Sequence, residues 1–180
     1  GPPVHIELDL AEKVVDVYRK KNHKIVAGWR YLEQRLADMM SGVRNEELKD
    51  ILLFGKQRIY TVSGFTLQYT GLTAEINQHT GGWTNFTYKN KGNTVHIYGG
   101  KLNENIIQHL ARLVVAEQMV SIARCYRIIS MTHYEVVYLA PTREAKKAYE
   151  FGLECLTTPP DWCSDIPLSA EGGFDDVYSK

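Results

Sequence analysis

Apolar residues recur three and four positions apart at Leu10, Val14, Val17 and Tyr18, which predicts a helix over 9–22 with Asp9 as its N-cap. After His23, a second stripe of Ile25, Trp29, Leu32, Leu36, Met39 and Met40 predicts another helix, and Gly42 suits its end. Together they predict a helical hairpin whose partner surface lies elsewhere in the fold. The pattern then turns β-rich. Runs at 58–62 and 65–69 flank Ser63-Gly64, a usable tight turn, and a second hairpin over 83–98 turns at Asn90-Lys91-Gly92-Asn93. Gly81-Gly82 and Gly99-Gly100 punctuate its ends.

Residues 103–124 predict the longest helix, with Asn103 as cap, Glu104 in the first turn, and Ile106, Ile107, Leu110, Leu113, Val114 and Val115 spread widely around it. So broad an apolar face implies burial on more than one side. Two β-branched runs, 126–132 and 135–140, have only His133-Tyr134 between them, which asks for a two-residue hairpin. A last helix opens at Pro141-Thr142, with Thr142 as N-cap, and runs to about residue 156. The tail from Thr157 through Pro159-Pro160 to Trp162 leaves it in extended form. The order αα, ββ, ββ, α, ββ, α is an α+β arrangement: a helical hairpin, two β-hairpins, a long central helix, a further β-hairpin and a C-terminal helix. Residues 1–56 read as the helical hairpin part and 57–180 as the α+β part with its extended tail.

Composition excludes some classes. With 180 residues, 44% apolar, and 21 Lys+Arg against 21 Asp+Glu, the chain is neither disordered nor extreme in charge. Its uncharged apolar stretches, such as 51–54 and 113–116, are far shorter than the roughly 20 residues of a bilayer span, so no membrane association is expected. The start Gly1-Pro2-Pro3-Val4-His5 lacks the features of a secretory signal and looks like a protease-cleavage scar. Cys125, Cys155 and Cys163 form no C-x-x-C pair, and an intracellular, cytoplasmic setting with reduced core thiols is expected. Charge is nonetheless polarised. From 76 to 103 there are three lysines, Lys89, Lys91 and Lys101, and no acid, whereas 151–180 holds six acids and a single base, Lys180. The first stretch could face phosphates, and a solvated surface explains both equally well.

Spacing alone identifies no chemistry. Phosphate-loop, dinucleotide, zinc-protease and nucleophile-elbow patterns are missing, and the six scattered histidines lack zinc-finger spacing. A stronger signal is Tyr98-Gly99-Gly100-Lys101-Leu102-Asn103-Glu104-Asn105-Ile106-Ile107-Gln108-His109-Leu110-Ala111-Arg112. It resembles the segment of family A DNA polymerases, the phage-type branch above all, that reads Y-G-G-K-L-x-E-N-I-x-Q-A-x-A-R-D. In that family a strand, a His-Asp-Glu turn and a second strand follow, and here Thr132-His133-Tyr134-Glu135-Val136-Val137 takes that place. The tail from Thr157 to Trp162 and from Ile166 to Gly172 is similar to that branch's carboxyl end. Tyr18-Arg19, Asn22, Ile25, Trp29 and Leu32-Glu33 resemble the family's fingers-to-palm helices.

The resemblance implies a carboxyl-terminal, palm-type part of a polymerase engaged in DNA replication, working where phage or host DNA is copied. Gln108 matches the position that reaches the minor groove of primer-template DNA, Lys101 and Arg112 match basic positions suited to phosphate, and His133 matches the histidine beside the primer terminus. Glu135 matches the turn's glutamate. Nucleotide transfer in the family uses two Mg²⁺ ions held by two aspartates, which requires charged oxygens at about 2.1 Å. Tyr134 stands at one of those aspartate positions, and a phenol of pKa about 10 is a poor ligand for Mg²⁺. The D-Y-S strand and the nucleotide-binding helix have no counterpart in this chain. No metal ligands are therefore assigned and no cofactor is expected for the chain alone. Mg²⁺ would enter only in a completed polymerase.

Each assignment has a plain rival. Gln108 could be merely exposed, His133 and Tyr134 mere turn residues, Glu135 a surface charge, and Arg112 the partner of an internal acid. Trp83, Phe86 and Tyr88 could stack on bases, though sheet packing accounts for them better. Two functions are expected to compete: a polymerase part, inactive alone, that binds primer-template with an N-terminal half, and a catalytically dead polymerase-derived module that binds DNA or a replication protein. A small interaction protein without a nucleic-acid role is the third.

Overall fold

The computed structural model describes residues 8–47 and 51–178, so Gly1 to His5 and Lys180 lie outside the described residues. The fold is α+β, with two compact units, Gly1–Ile106 and Ile107–Lys180. In the first unit, α1 (Leu8–Lys21) and α2 (His23–Ser41) are the two expected helices, joined through the single residue Asn22. Asp9 sits inside the first turn of α1 and is not its cap, since the helix already begins at Leu8. Gly42 ends α2 with φ 80°, and its N–H reaches the carbonyl of Asp38. The buried face of α2 is Leu36, Ala37 and Met39. By contrast α1 buries nothing, so the stripe of Leu10, Val14 and Val17, expected to pack within the fold, is exposed.

The two expected hairpins of this unit each belong to a larger sheet. β1 (Asn45–Glu47), β2 (Leu52–Gly55), β3 (Arg58–Thr61) and β4 (Thr66–Gln68) make an antiparallel four-stranded meander. β5 (Thr73–Ile76), β6 (Trp83–Asn90) and β7 (Asn93–His96) make a three-stranded one. Ser63-Gly64 and Lys91-Gly92 do turn their hairpins, with φ of 81° at Gly64, 48° at Lys91 and 84° at Gly92. A bulge at Asn85, φ 52°, breaks the β5–β6 register and separates the three aromatics of β6. Phe86 is core, Tyr88 meets Tyr69 edge-on at 5.1 Å, and Trp83 is exposed. Leu52, Phe54, Ile59, Leu72 and Ile97 complete the interior of the unit with Leu36 and Met39.

The long helix α3 runs Gly99–Ala123 and starts four residues ahead of the expected cap. Asn103 is therefore interior, and Gly99-Gly100 form the first turn where punctuation was expected. The reason is a contact, not a cap: Gly99 lies against the α2 backbone at Trp29 and Glu33, where no side chain fits. Leu102 and Ile106 are buried in the first unit, and Leu113, Val114 and Ile122 in the second. Ile107 and Val120 remain exposed, so burial on several sides holds only in part. By length and composition alone α3 would be long and apolar enough to cross a bilayer.

Asn105 of α3 donates to the Tyr69 hydroxyl at 3.2 Å. Tyr69 is 2% exposed, and burial pushes its pKa up to about 12, more than the Asn105 bond offsets, with Tyr88 adding to the rise. The folded chain then keeps a proton that the unfolded phenol loses above about pH 10. This contribution is complete below pH 10 and is lost as pH climbs to 12, amounting to about 3 kcal/mol. Denaturant titrations between pH 9.5 and 12 are expected to show the Tyr69→Phe chain losing less stability than the parent by up to about that amount.

In the second unit, β8 (Arg127–Thr132) and β9 (Glu135–Leu139) pair across the expected two-residue turn. Thr142 does not cap α4: Thr142–Glu144 form a 3₁₀ turn after Pro141, and α4 begins at Ala145 and ends at Thr157. Pro141 fixes φ at −60° and so launches the tighter turn first. The tail is extended only to Pro160, after which Asp161–Cys163 make another 3₁₀ turn.

Candidate nucleic-acid interface

The most constrained feature of the second unit is the turn joining β8 to β9. Thr132 pairs with Glu135 and Met131 with Val136, leaving His133 and Tyr134 to reverse the chain. His133 takes φ 55°, a conformation that a side chain with a Cβ adopts at a cost of about 1 kcal/mol. An arginine from α3 supports it, as Nη1 of Arg112 donates to the His133 carbonyl at 3.2 Å. The internal acid considered as a rival partner for Arg112 is thus replaced by a backbone oxygen. The His133 imidazole is exposed, the Tyr134 ring is 55% exposed, and Glu135 is half-buried at the head of β9. Three of the expected residues, Arg112, His133 and Glu135, therefore come together at one turn with Tyr134.

Gln108 lies one turn before Arg112 on α3 and is exposed. Lys101 falls in the other unit, where its ammonium meets Glu104 at 3.0 Å. The hydrogen bond it donates to Glu104 and that carboxylate's charge together push the lysine pKa up. Both side chains are nearly half exposed, so the pair is screened and adds little to stability. Leu113, where the resembled segment has an acid, is buried instead.

Sequence reasoning missed Gln118. It is 6% exposed, and its amide nitrogen donates to the carbonyls of Leu156 at 2.9 Å and Thr158 at 3.0 Å. One residue earlier, Glu117 accepts from Trp162 Nε1 at 2.9 Å. Together they tie the end of α4 and the Pro159-Pro160 segment to α3. The signal was present: Val114, Gln118 and Ile122 are spaced by four, so one polar group interrupts an otherwise apolar stripe.

The donor set at the turn does not fit Mg²⁺. Glu135 is its single carboxylate, Tyr134 offers a phenol, and no group of three or more His, Cys, Asp or Glu that could hold a metal occurs among the described residues. Cys125, Cys155 and Cys163 are free thiols, and burial pushes the pKa of Cys155 and Cys163 up, against the thiolate form.

No protein-family model matches the sequence, and no solved structure matches the fold. A DNA polymerase of Bacillus phage SP02 is 27% identical over 189 residues, covering 97% of this chain and 29% of that polymerase. The chain thus spans less than a third of the relative it matches, and the likeness runs along nearly its whole length.

Proposed function

We propose that this chain works as part of a DNA polymerase of the family A, phage-type class, binding primer-template DNA together with a further polymerase segment and unable to synthesise DNA alone. The observation that carries the reading is the likeness to the phage polymerase along 97% of the chain. The turn supports it: Arg112 and His133 of the two resembling motifs are joined by a hydrogen bond, and the imidazole beside them is exposed. Exposed Leu10, Val14 and Val17 on α1 make an apolar stripe that a further segment would cover. In this reading Arg112 and Lys101 approach phosphates, Gln108 a minor-groove edge and His133 the primer end. Mg²⁺ then depends on carboxylates from outside the chain.

The exposed Tyr134 ring favours a second reading, a polymerase-derived module that binds DNA or a replication protein without catalysis. One experiment addresses both. The full chain is expected to shift labelled primer-template, more weakly as salt rises, and Arg112→Ala is expected to reduce the slope of log K against log salt by about 0.9, as loss of one phosphate contact would. The chain alone should not extend the primer. With the remaining polymerase segment added, Tyr134→Asp restores extension under the first reading and leaves binding without extension under the second. Salt-independent binding, or none, overturns the first reading and the DNA-binding form of the second.

A further inference from the structure

The first unit holds a second feature that the polymerase likeness does not explain. An open cleft of about 390 Å³ is lined by Lys56, Gln57, Arg58, Tyr60, Gln68 and Thr70, all from β3, β4 and the adjoining turns. From residue 51 to 74 the sequence contains no acid, and among the described residues neither Lys56 nor Arg58 is in an ion pair. Among the described residues the cleft therefore presents two cations outside any ion pair.

Its geometry follows from the strand register. Arg58 and Tyr60 are exposed on one face of β3 while Ile59 and Thr61 are buried on the other, and Gln68 of β4 stands opposite Arg58. The Arg58 guanidinium lies 5.9 Å from the centre of the Tyr60 ring. Gly55, also opposite Arg58, lacks the Cβ that would come 3.0 Å from Tyr60 Cε2, so the ring has room over β2. The turn bearing Lys56 is fixed by its neighbour Gln57, which holds φ 55°. The Gln57 N–H donates to Met39, its carbonyl accepts from Tyr69 at 2.8 Å, and its side-chain oxygen accepts from Gly71 at 2.8 Å. A left-handed non-glycine residue held by three bonds is a pre-set turn, and strain of this kind gathers at binding sites.

We infer that this face binds an unpaired nucleic-acid strand, with Lys56 and Arg58 taking successive phosphates, Tyr60 stacking on a base, and the Gln68 amide and Thr70 hydroxyl hydrogen-bonding to sugar or base edges. Two cations beside an exposed aromatic, with neutral polar groups around them, match the sequence-tolerant chemistry of single-strand platforms. A duplex would conceal the base faces that Tyr60 needs. The inference stands beside the proposed function and does not depend on it.

The test is fluorescence anisotropy of the full chain with a labelled oligothymidylate of about ten nucleotides, at about 50 and 200 mM salt. The parent is expected to bind more weakly at the higher salt. Lys56→Gln with Arg58→Gln should weaken binding about tenfold or more and lower the slope of log K against log salt by about 1.4. Tyr60→Leu should weaken it about tenfold, while Tyr60→Phe, which keeps the stacking surface, stays within about twofold of the parent. Melting curves confirm that each variant is folded. Unchanged affinity in the Lys56/Arg58 or Tyr60→Leu chain, no binding by the parent, or displacement of the oligomer by thymidine monophosphate overturns the inference. If the primer-template shift and its dependence on Arg112 persist in any of those cases, this inference alone falls.

Discussion

Gly99→Ala is expected to destabilise the first unit by about 3 kcal/mol, whereas Gly100→Ala, one residue on, is expected to leave it unchanged or slightly more stable. Helix propensity favours alanine over glycine by about 1 kcal/mol in a helix interior, so both changes would be gains if propensity decided. Packing separates them. A methyl on Gly99 would overlap the carbonyl of Trp29 and press on the backbone nitrogen of Glu33, and a helix backbone cannot step aside. To admit the methyl, α3 has to move off α2 at Trp29 and Glu33. A methyl on Gly100 meets instead the ring of Tyr98 at 2.9 Å, and that ring is exposed and turns away. Urea denaturation of the two variants decides the point. If Gly99→Ala is as stable as the parent, the close α2–α3 approach is not what holds Gly99 in place.

The same pair of glycines shows what the sequence could and could not say. Read locally, Gly-Gly ends an element, and nothing short of the position of α2 reveals that the helix needs bare backbone there. The helices α1 and α2, the turns at Gly64 and Gly92 and the His133-Tyr134 hairpin were legible because periodicity and turn chemistry are local. Strands β2 and β5 were not. Residues 51–54 are a short apolar run that fits helix or strand equally, and Thr73-Ala74-Glu75-Ile76 has little strand propensity, so pairing with β6 is what makes it a strand.

The site divides in the same way. Arg112 and His133 were singled out by resemblance, but the bond between them spans 21 residues and had no sequence signal. Much of the segment that carries the resemblance also serves folding. Gly99 allows the helix crossing, Leu102 and Ile106 are buried, and Asn105 holds Tyr69. Motif and scaffold are one set of residues here, so substitutions in it are informative about DNA binding only when stability is measured alongside.

Gly152→Ala carries the largest effect expected in the second unit. Gly152 is buried on α4, and the Tyr138 hydroxyl of β9 occupies the space a methyl would take while donating to the Ala148 carbonyl at 2.8 Å. Beside it Tyr126 lies tilted against the Tyr138 ring at 5.7 Å, so that ring cannot swing outward without disturbing this contact. The expected cost combines overpacking, about 1–3 kcal/mol, with loss of the hydroxyl's bond, about 1 kcal/mol, less the propensity gain of about 1 kcal/mol. A net loss of about 2 kcal/mol follows. Removing the obstructing oxygen should recover much of it. Tyr138→Phe alone costs about 1 kcal/mol, yet the Gly152→Ala/Tyr138→Phe double variant is expected to be more stable than Gly152→Ala by about 1 kcal/mol. That reversal of sign, read from chemical denaturation of the four chains, separates a steric conflict at one oxygen from a general intolerance of α4 to substitution, in which case the two losses would simply add.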